Sequence, residues 1–360
     1  MAAHPNLNIP DSGNTVKVRV IDTGARATLP FSMVTPTIKG FETLKDFPAF
    51  SFLIEHPSGR KILFDLGIRK DWNNYAGPIT DAFRERGWIV TTEKGVEEVL
   101  EEHGVRRGEI EAIVWSHWHW DHLGNPAVFE PSTSLLVGQG FKDFFMPGYP
   151  ANPRMPVLES DFAGREVKEI LFEESRCLKI GRFDAMDYFG DGSFYILDAP
   201  GHALGHLNAL ARVTASPPSF IFMGADTAHH PGEFRPTTYS PLPPYIDPNP
   251  LDMGSSYPCP GALFEHLLRD GDKTQPFYRL SRPHIPFSDV DVAEQTLEKM
   301  QETDSHPQIF TVIAHDKSLL GKIDFFPGYV NDFVAKDWVQ KTKWAFLSDF
   351  RNALISQDLD

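Results

Sequence analysis

Short apolar runs separated by turn residues recur along the chain, which is typical of β-strands. Residues 16–21 alternate apolar and basic side chains, and this alternation predicts a strand with one buried face. A turn at residues 56–59 joins two further runs into a hairpin. The predicted strands cover residues 16–21, 49–55, 61–64, 113–115, 134–137, 193–198, 206–212, 219–223 and 309–313.

Helical spacing of apolar residues is less common and is concentrated in the second half of the chain. The pattern predicts helices over residues 96–103, 261–269 and 290–303, with Ser288 or Asp289 as the N-cap of the last. Residues 338–354 have apolar positions near helical spacing, which predicts a closing helix that docks on the body of the protein.

The remaining segments have no regular pattern. Residues 1–15 are polar and are expected to form a flexible tail. Residues 72–88 hold several aromatics and are interpreted as a loop over the functional site. Residues 139–165 are interpreted as a long loop that carries binding function or as a surface insertion packed by its own aromatics. Nine prolines between residues 231 and 260 exclude a helix or central strand there, and predict an ordered excursion.

Composition narrows the class of protein. The 360 residues are 41% hydrophobic, ordinary for a globular protein, and suffice for one large domain. The formal net charge of -15 disfavours nucleic acid as a partner, because phosphate backbones are repelled. The two cysteines are too few for a disulfide framework. No secretory signal or apolar run approaching the ~20 residues of a membrane span is present, so a cytoplasmic protein without membrane contact is expected.

The densest group of chemically active residues follows the predicted strand at 113–115. His117, His119, Asp121 and His122 occur within six residues. Histidines two apart on an extended chain point to the same side, and the turn that begins at Leu123 can direct the second pair elsewhere. Imidazole and carboxylate together suit zinc, manganese or iron better than calcium. A single histidine beside a strand is usually a packed or surface residue. Four ligand-type side chains at this spacing are hard to explain in that way, so the spacing predicts a metal site.

The motif HWHWDH resembles the HxHxDH signature of the metallo-β-lactamase superfamily. Further matches follow in the family's order, each after a predicted strand: Gly201-His202, Gly224-Ala225-Asp226 and Ala314-His315. The resemblance covers about residues 16–317. It implies an α/β fold, the αββα sandwich, with two mixed β-sheets face to face and helices outside. Residues 16–360 are then a single domain with insertions at about 139–165 and 229–287.

The resemblance also implies a dinuclear metal site. His117, His119 and His202 would bind the first ion, Asp121, His122 and His315 the second, and Asp226 would bridge them. Two Zn²⁺ are the expected ions, although iron or manganese fit the same ligands. Asp65, which follows a predicted strand, is expected to orient a ligand histidine, the other interpretation being a turn-forming aspartate before glycine.

The implied activity is hydrolysis of a lactone or related ester. The metal pair would bridge a water, lower its pKa toward neutrality and deliver a hydroxide to the carbonyl, while Asp121 or Asp226 passes a proton to the leaving group. The surroundings resemble the N-acyl homoserine lactonase-like branch, which often has a tyrosine three residues after the bridging aspartate. His229 occupies that position here, so it is a catalytic candidate. The favoured interpretation of His229 and His230 is nevertheless a solvated loop pair.

Several alternatives remain open at this stage. Trp118, Trp120, Phe141, Phe144 and Phe145 suggest an apolar pocket for a small-molecule substrate with an apolar part, but the same residues would also suit the core. A thioester hydrolase, of the glyoxalase type or acting on a polyketide carrier, is the second enzymatic hypothesis. A nuclease is disfavoured by charge, and a non-catalytic binding protein by the complete ligand set.

Overall fold

The computed structural model describes residues 2–173, 177–281 and 288–355. The predicted strands occur with ends shifted by at most three residues. In chain order the strands are β1 (Lys17–Ile21), β2 (Arg26–Pro30), β3 (Val34–Thr35), β4 (Thr43–Phe47), β5 (Ser51–Glu55), β6 (Lys61–Phe64), β7 (Ile89–Thr91), β8 (Ala112–Val114), β9 (Ser134–Gly138), β10 (Val167–Ile170), β11 (Leu178–Ile180), β12 (Phe183–Asp187), β13 (Phe194–Asp198), β14 (Leu207–Ala215), β15 (Pro218–Met223), β16 (Tyr245–Ile246), β17 (Cys259–Pro260), β18 (Arg279–Leu280) and β19 (Ile309–Val312).

Helices are mostly short. The α-helices are α1 (Gly77–Arg86), α2 (Val96–Glu102), α3 (Trp120–Leu123), α4 (Phe141–Phe145), α5 (Glu159–Phe162), α6 (Val290–Asp304), α7 (Trp338–Thr342) and α8 (Arg351–Ile355). Single 3₁₀ turns and short 3₁₀ helices cover Trp72–Asn74, Arg107–Glu109, Pro126–Val128, Pro231–Glu233, Gly261–Leu267, Arg269–Gly271, Lys317–Leu319 and Ala345–Phe350. Asp289 caps α6, as one of the two predicted candidates, by accepting a hydrogen bond from the Val292 N–H at 3.2 Å.

Two six-stranded sheets form the centre of the fold, which we call the sandwich. Their strand orders are β1-β5-β6-β8-β9-β10 and β11-β12-β13-β14-β15-β19. Phe52 and Phe64 of the first sheet and Ile196 and Met223 of the second share one buried cluster, so the sheets pack face to face. Helix α2 covers the outer face of the first sheet, and α6 covers that of the second. The predicted αββα sandwich is confirmed.

A second core lies beside the sandwich, and we call it the aromatic layer. It consists of the three-stranded sheet β4-β2-β7, helix α1, the Pro-rich segment and the C-terminal helices. Phe41, Phe264, Phe277, Phe346 and Phe350 are among its buried residues. Residues 72–88 belong to this layer and hold a helix rather than the predicted loop. The closing helix predicted over 338–354 is three short helical segments, because Trp344 and Phe346 pack on the layer where a straight helix would not reach.

The N-terminal segment differs from the expected flexible tail. Residues 2–15 have no helix or strand, but Leu7 is buried in the core outside the second sheet. The Leu7 carbonyl accepts a hydrogen bond from the Gly181 N–H at 2.6 Å, and Ser12 Oγ donates to the Asp191 carbonyl at 2.6 Å. Because residues 1–15 are mostly polar, the sequence did not indicate that Leu7 would be buried. The insertion predicted at 229–287 is described as far as residue 281, so its last six residues lie outside the described part.

Candidate metal centre

The loop after β8 carries the first group of site residues. Strands β6 and β8 are parallel neighbours, with Phe64 opposite Val114, so Asp65 lies beneath the residues that follow β8. Asp65 accepts hydrogen bonds from the Ser116 N–H and Oγ at 2.7 Å each, and its Oδ2 is 2.8 Å from His122 Nδ1. These contacts turn His122 Nε2 toward the centre and support the predicted orienting role of Asp65.

The second sheet supplies the remaining three of the seven candidate ligands, each from the end of a different strand. His202 follows β13, and Gly201 before it has φ +120° and lies so close to α6 that an added Cβ would be 2.2 Å from the Ala293 nitrogen. Asp226 follows β15 and His315 follows β19. Strands β15 and β19 are parallel, with Met223 opposite Val312, which brings these two residues to one edge.

The seven residues converge on one buried site. His117, His119, His202 and Asp226 form one group of candidate metal ligands, and Asp121, His122 and His315 form another, with ligand atoms in each group within 4.8 Å of one another. His119 and His202 are partly exposed, whereas the other five are buried. His119 and His202 are therefore the most exposed members of the site.

Asp226 lies between the two groups, one carboxylate oxygen toward each. Its Oδ2 is 3.6 Å from His117 Nε2 and 3.5 Å from His202 Nε2. Its Oδ1 is 3.0 Å from both His122 Nε2 and His315 Nε2. This is the placement that a bridging carboxylate requires.

Several buried polar atoms at the site have no hydrogen-bond partner in the described part of the chain. His117 Nε2, His122 Nε2 and Asp226 Oδ1 are among them, although each faces the centre. An unsatisfied buried polar atom costs about 1–3 kcal/mol, so a cluster of them calls for a ligand. Imidazole nitrogens and carboxylate oxygens that converge at this spacing fit divalent cations.

The protonation states of three histidines at this site agree with cation binding. Burial lowers the pKa of His119 to about 3 and lowers the pKa of His117 and His202 well below the usual value. These three imidazoles are thus neutral at pH 7, which is the form that binds metals. Burial works against a charge on Asp226, yet the nearby imidazoles of His122 and His315 hold its carboxyl pKa well below the usual range.

Other histidines have supporting positions. His206 is buried, with Nδ1 2.9 Å from the Ala199 carbonyl, and its Nε2 accepts the Asp226 N–H at 3.2 Å. His315 Nδ1 is 2.8 Å from the Pro48 carbonyl, which leaves Nε2 for the centre. The ring of Phe47, in the aromatic layer, lies 4.8 Å from that of His315, a contact that no motif indicated.

The favoured interpretation of His229 and His230 as a solvated pair is wrong. Both are buried. The ring of His230 packs against Phe346 and Phe350 of the C-terminal segments, and the ring of His229 lies beside those of His202 and His315. His229 Nε2 is 3.4 Å from Asp226 Oδ2, so the catalytic candidate does reach the centre. His230 points elsewhere, with its Nε2 3.4 Å from Asp349 Oδ2 and its ring among aromatics. Burial opposes charging of His229, but the carboxylates of Asp226 and Glu233 raise its pKa to about 10.

The predicted aromatic pocket is mostly core. Trp118, Phe141 and Phe145 pack in the core outside the first sheet, and Trp120 packs in the aromatic layer. Phe144 is 51% exposed, which leaves it outside both cores. The core alternative stated for these residues therefore holds for four of the five. Within the described ranges, no helix has the length and apolar character to cross a membrane.

Comparison with known proteins agrees with the fold and the site. The metallo-beta-lactamase superfamily profile matches residues 44–134. Gamma-lactamase FDB1 of Fusarium pseudograminearum is 42% identical over 353 residues, 96% of this chain and 85% of the relative. Metallo-hydrolase mfmC of Annulohypoxylon moriforme is 45% identical over 359 residues, 98% and 92% of the two chains. Some relatives are longer, and the chain spans 39% of their length.

Solved structures show the same architecture. The crystal structure of a quorum-quenching N-acyl homoserine lactone hydrolase superposes with a TM-score of 0.56 and 16% sequence identity, covering 88% of this chain and 99% of the other. At that identity the likeness is one of fold. Together with the curated relatives, the sheet order and the converging histidines and aspartates, it leads to one conclusion: the chain belongs to the metallo-β-lactamase superfamily and is a metal-dependent hydrolase.

Proposed function

We propose that the chain is a dinuclear-metal-dependent hydrolase that opens a lactone, a cyclic ester. The observation that carries the proposal is the position of Asp226, whose Oδ2 faces His117 and His202 and whose Oδ1 faces His122 and His315. A carboxylate so placed can hold two cations a fixed distance apart. A site for a single ion would leave one of the two groups of ligand atoms unsatisfied.

The ligand types favour zinc. His117, His119 and His202 would hold one ion, Asp121, His122 and His315 the other, and Asp226 would contact both. Imidazole-rich sites with carboxylates suit Zn²⁺, although iron or manganese would also fit, since affinity order alone does not decide occupancy in cells. When bound, the two cations would polarise the substrate carbonyl and lower the pKa of a coordinated water.

The chain's own residues would position the substrate and move protons. Approach from the side of His119 and His202 brings the scissile carbonyl over the seven-residue centre. His229 Nε2, directed into that space, is suited to donate a hydrogen bond to the carbonyl oxygen. Asp121, whose Oδ2 lies 3.5 Å from His315 Nε2 at the centre, is the carboxylate that would take a proton from water and return it to the leaving oxygen.

A cyclic amide is the second candidate substrate. Gamma-lactamase FDB1, at 42% identity, bears the name of an activity on a lactam. Lactone and lactam opening share the attack of water on a ring carbonyl. They differ in the leaving atom, because an amine nitrogen must be protonated to leave whereas an alkoxide needs less assistance. The same centre could serve both reactions if a proton donor reaches the leaving atom.

A substrate panel tests the proposal. The purified protein, loaded with Zn²⁺, would be assayed on γ-lactones with and without an apolar chain, on γ-lactams and on thioesters. We expect ring opening of the lactones, abolished in His117→Ala and kept in His266→Ala, which removes an exposed histidine outside the centre. Lactam turnover without lactone turnover would move the assignment to the second candidate. Turnover of thioesters alone would contradict both.

A further inference from the structure

The four-residue helix α3 carries Asp121 and His122, two of the three candidate ligands of the second group. The last four carbonyl groups of an α-helix have no hydrogen-bond partner within the helix, so the carbonyls of so short a helix depend on donors outside it. The Leu66 N–H donates to the His122 carbonyl at 2.9 Å, and Trp115 Nε1 donates to the Leu123 carbonyl at 3.0 Å. Both donors follow strands of the sandwich, which therefore holds one end of α3.

The other end of α3 is held from the aromatic layer. The hydroxyl of Tyr75, a buried residue of that layer, donates to the Trp120 carbonyl at 2.5 Å and accepts the Arg69 N–H at 2.7 Å. A carbonyl can only accept and an N–H can only donate, so the direction of both hydrogen bonds is fixed. Arg69 lies in the loop that begins with Asp65, after β6. One hydroxyl thus joins α3 to the loop that orients His122.

Asp121 differs from the other two members of its group in how its side chain is supported. His122 Nδ1 lies 2.8 Å from Asp65 Oδ2. His315 Nδ1 lies 2.8 Å from the Pro48 carbonyl, so both rings are oriented by a group outside the centre. The Asp121 carboxylate has no such partner among the described residues, and the ring nitrogens near it, 3.5 Å away on His315 and 4.0 Å away on His122, belong to its own group. The direction of this carboxylate therefore depends on its backbone.

The Trp120 carbonyl belongs to the peptide group that precedes Asp121. A peptide group is planar, so holding its carbonyl also fixes the Cα of the next residue in that plane and limits the directions open to its side chain. The ring of Tyr75 cannot do this by itself. It packs against Phe83 and Trp120, with centroids 6.2 and 6.4 Å apart, contacts that a phenylalanine ring would make equally well. What tyrosine adds is the hydroxyl, and a buried hydroxyl is costly unless it is hydrogen-bonded.

We propose that Tyr75 is a positioning residue whose hydroxyl holds the peptide plane before Asp121 and thereby directs the Asp121 carboxylate toward the second ion. Tyr75 acts through the backbone of α3 rather than as a ligand. The inference rests on the proposed function, because it requires a second ion in the centre. The aromatic layer thereby contributes to the affinity for the second ion and not for the first.

The test compares Tyr75→Phe with the unchanged protein, each loaded with cadmium-113. Two cadmium signals are expected in the NMR spectrum of the unchanged protein, and the signal that disappears in His315→Ala belongs to the second ion. Titration with a chelator then gives the affinity for each ion. In Tyr75→Phe the affinity for the second ion should fall about 10- to 100-fold, the range found when a group that orients a ligand is changed, whereas that for the first ion should stay within about threefold.

A hydroxyl with a merely structural role would give a different result. Loss of stability alone would lower the unfolding midpoint of Tyr75→Phe and leave both affinities unchanged, or would weaken the binding of both ions alike. Either outcome would overturn the proposal, as would a larger fall in affinity for the first ion than for the second.

Tyr278→Phe is the matched control. Tyr278 is also a buried tyrosine of the aromatic layer, but its hydroxyl has no hydrogen-bond partner among the described residues. Its ring contacts Phe31, Phe350 and His230, none of which is a candidate ligand. Both affinities should stay within about threefold in this variant, below the tenfold minimum expected for a group that orients a ligand. A fall at the second ion equal to that in Tyr75→Phe would show a general effect of the layer and overturn the role of Tyr75.

Hydrogen exchange of the Arg69 amide supplies a second readout. In the Zn²⁺-loaded protein this N–H should exchange slowly, because it donates to a buried hydroxyl, and it should exchange faster in Tyr75→Phe. Fast exchange in the unchanged protein would overturn the proposal even if the variant failed to fold. One cadmium ion in the unchanged protein would refute the dinuclear centre and this inference together. Two ions bound with the same affinities in Tyr75→Phe as in the unchanged protein would refute only the role of Tyr75.

Discussion

The sandwich and the aromatic layer contribute in different ways to the candidate metal centre. Five of the seven residues of the metal centre lie on loops at strand ends of the sandwich, and Asp121 and His122 lie on the short helix α3 that follows β8. The aromatic layer reaches the centre through neighbours such as Phe47, whose ring lies against His315, and Tyr75, whose hydroxyl donates to the Trp120 carbonyl. The sandwich thus fixes the reactive groups, and the layer surrounds them. The difference teaches that the reactive groups of a site and the residues packed around them can belong to separate cores.

The largest effect is expected from the sandwich side. His117→Ala removes a buried candidate ligand and leaves its group one nitrogen short. Residues that merely orient ligands cost 10- to 100-fold when changed, so loss of a ligand should cost more than ~100-fold in kcat/KM. The measurement is hydrolysis of the best substrate together with metal content. Full activity in this variant would show that the cluster is not the reactive centre.

A change inside the aromatic layer should separate stability from chemistry. Phe350→Ala removes a buried ring that contacts Phe41, Phe277 and Tyr278. Removing a buried phenylalanine costs about 3–5 kcal/mol of unfolding free energy. Denaturant unfolding should show this loss while the metal content at low denaturant stays unchanged. Phe222→Ala, an equally buried ring in the sandwich, is the comparison, and loss of metal in Phe350→Ala would contradict the division.

A smaller effect is expected at the support of the ligand loop. Asp65→Asn keeps a side chain that suits its φ of +59° but weakens the bond to His122 Nδ1. Metal affinity or activity should fall about 10- to 100-fold. Competition with a chelator measures the affinity. An unchanged affinity would mean that Asp65 serves only the turn, the alternative interpretation of its position before glycine.

The smallest effect concerns pH and Asp161, beside the sandwich. Burial raises the pKa of Asp161 to about 7, despite Arg69 Nη1 at 3.6 Å. Between about pH 4 and 7 the folded protein therefore binds one more proton than the unfolded chain. This contribution to stability is present at low pH and is lost as pH rises through 7. Unfolding free energies across that window should fall less steeply in Asp161→Asn, and identical slopes would contradict the assignment.

The sandwich could be predicted from the sequence because its strands have period-2 or fully apolar patterns bounded by turns. The HWHWDH spacing located four ligand candidates by itself, and the fold places them together through the parallel pair β6 and β8. His202, Asp226 and His315 are isolated in sequence, so only the resemblance to a family predicted them. The parallel pairing of β15 and β19 that joins two of them could not be derived from local pattern.

The aromatic layer could not be predicted in the same way. Its contacts join residues far apart, as when Phe41 meets Phe350, and no periodicity records them. His229 and His230 illustrate the consequence. They were interpreted as a solvated loop pair, yet His230 is buried against Phe346, which is over 100 residues away in sequence. The sequence signal available for their burial was Glu233, a charged residue three positions after His230 and four after His229.

The central claim is that the two groups of ligands form one dinuclear centre shared by Asp226. Elemental analysis of the purified protein and of Asp226→Ala, each loaded with Zn²⁺ and then freed of excess metal, tests it directly. The account predicts two metal ions for each chain in the unchanged protein and fewer than one in Asp226→Ala, because both groups lose a ligand. One ion in the unchanged protein, or two ions retained without the Asp226 carboxylate, would contradict it.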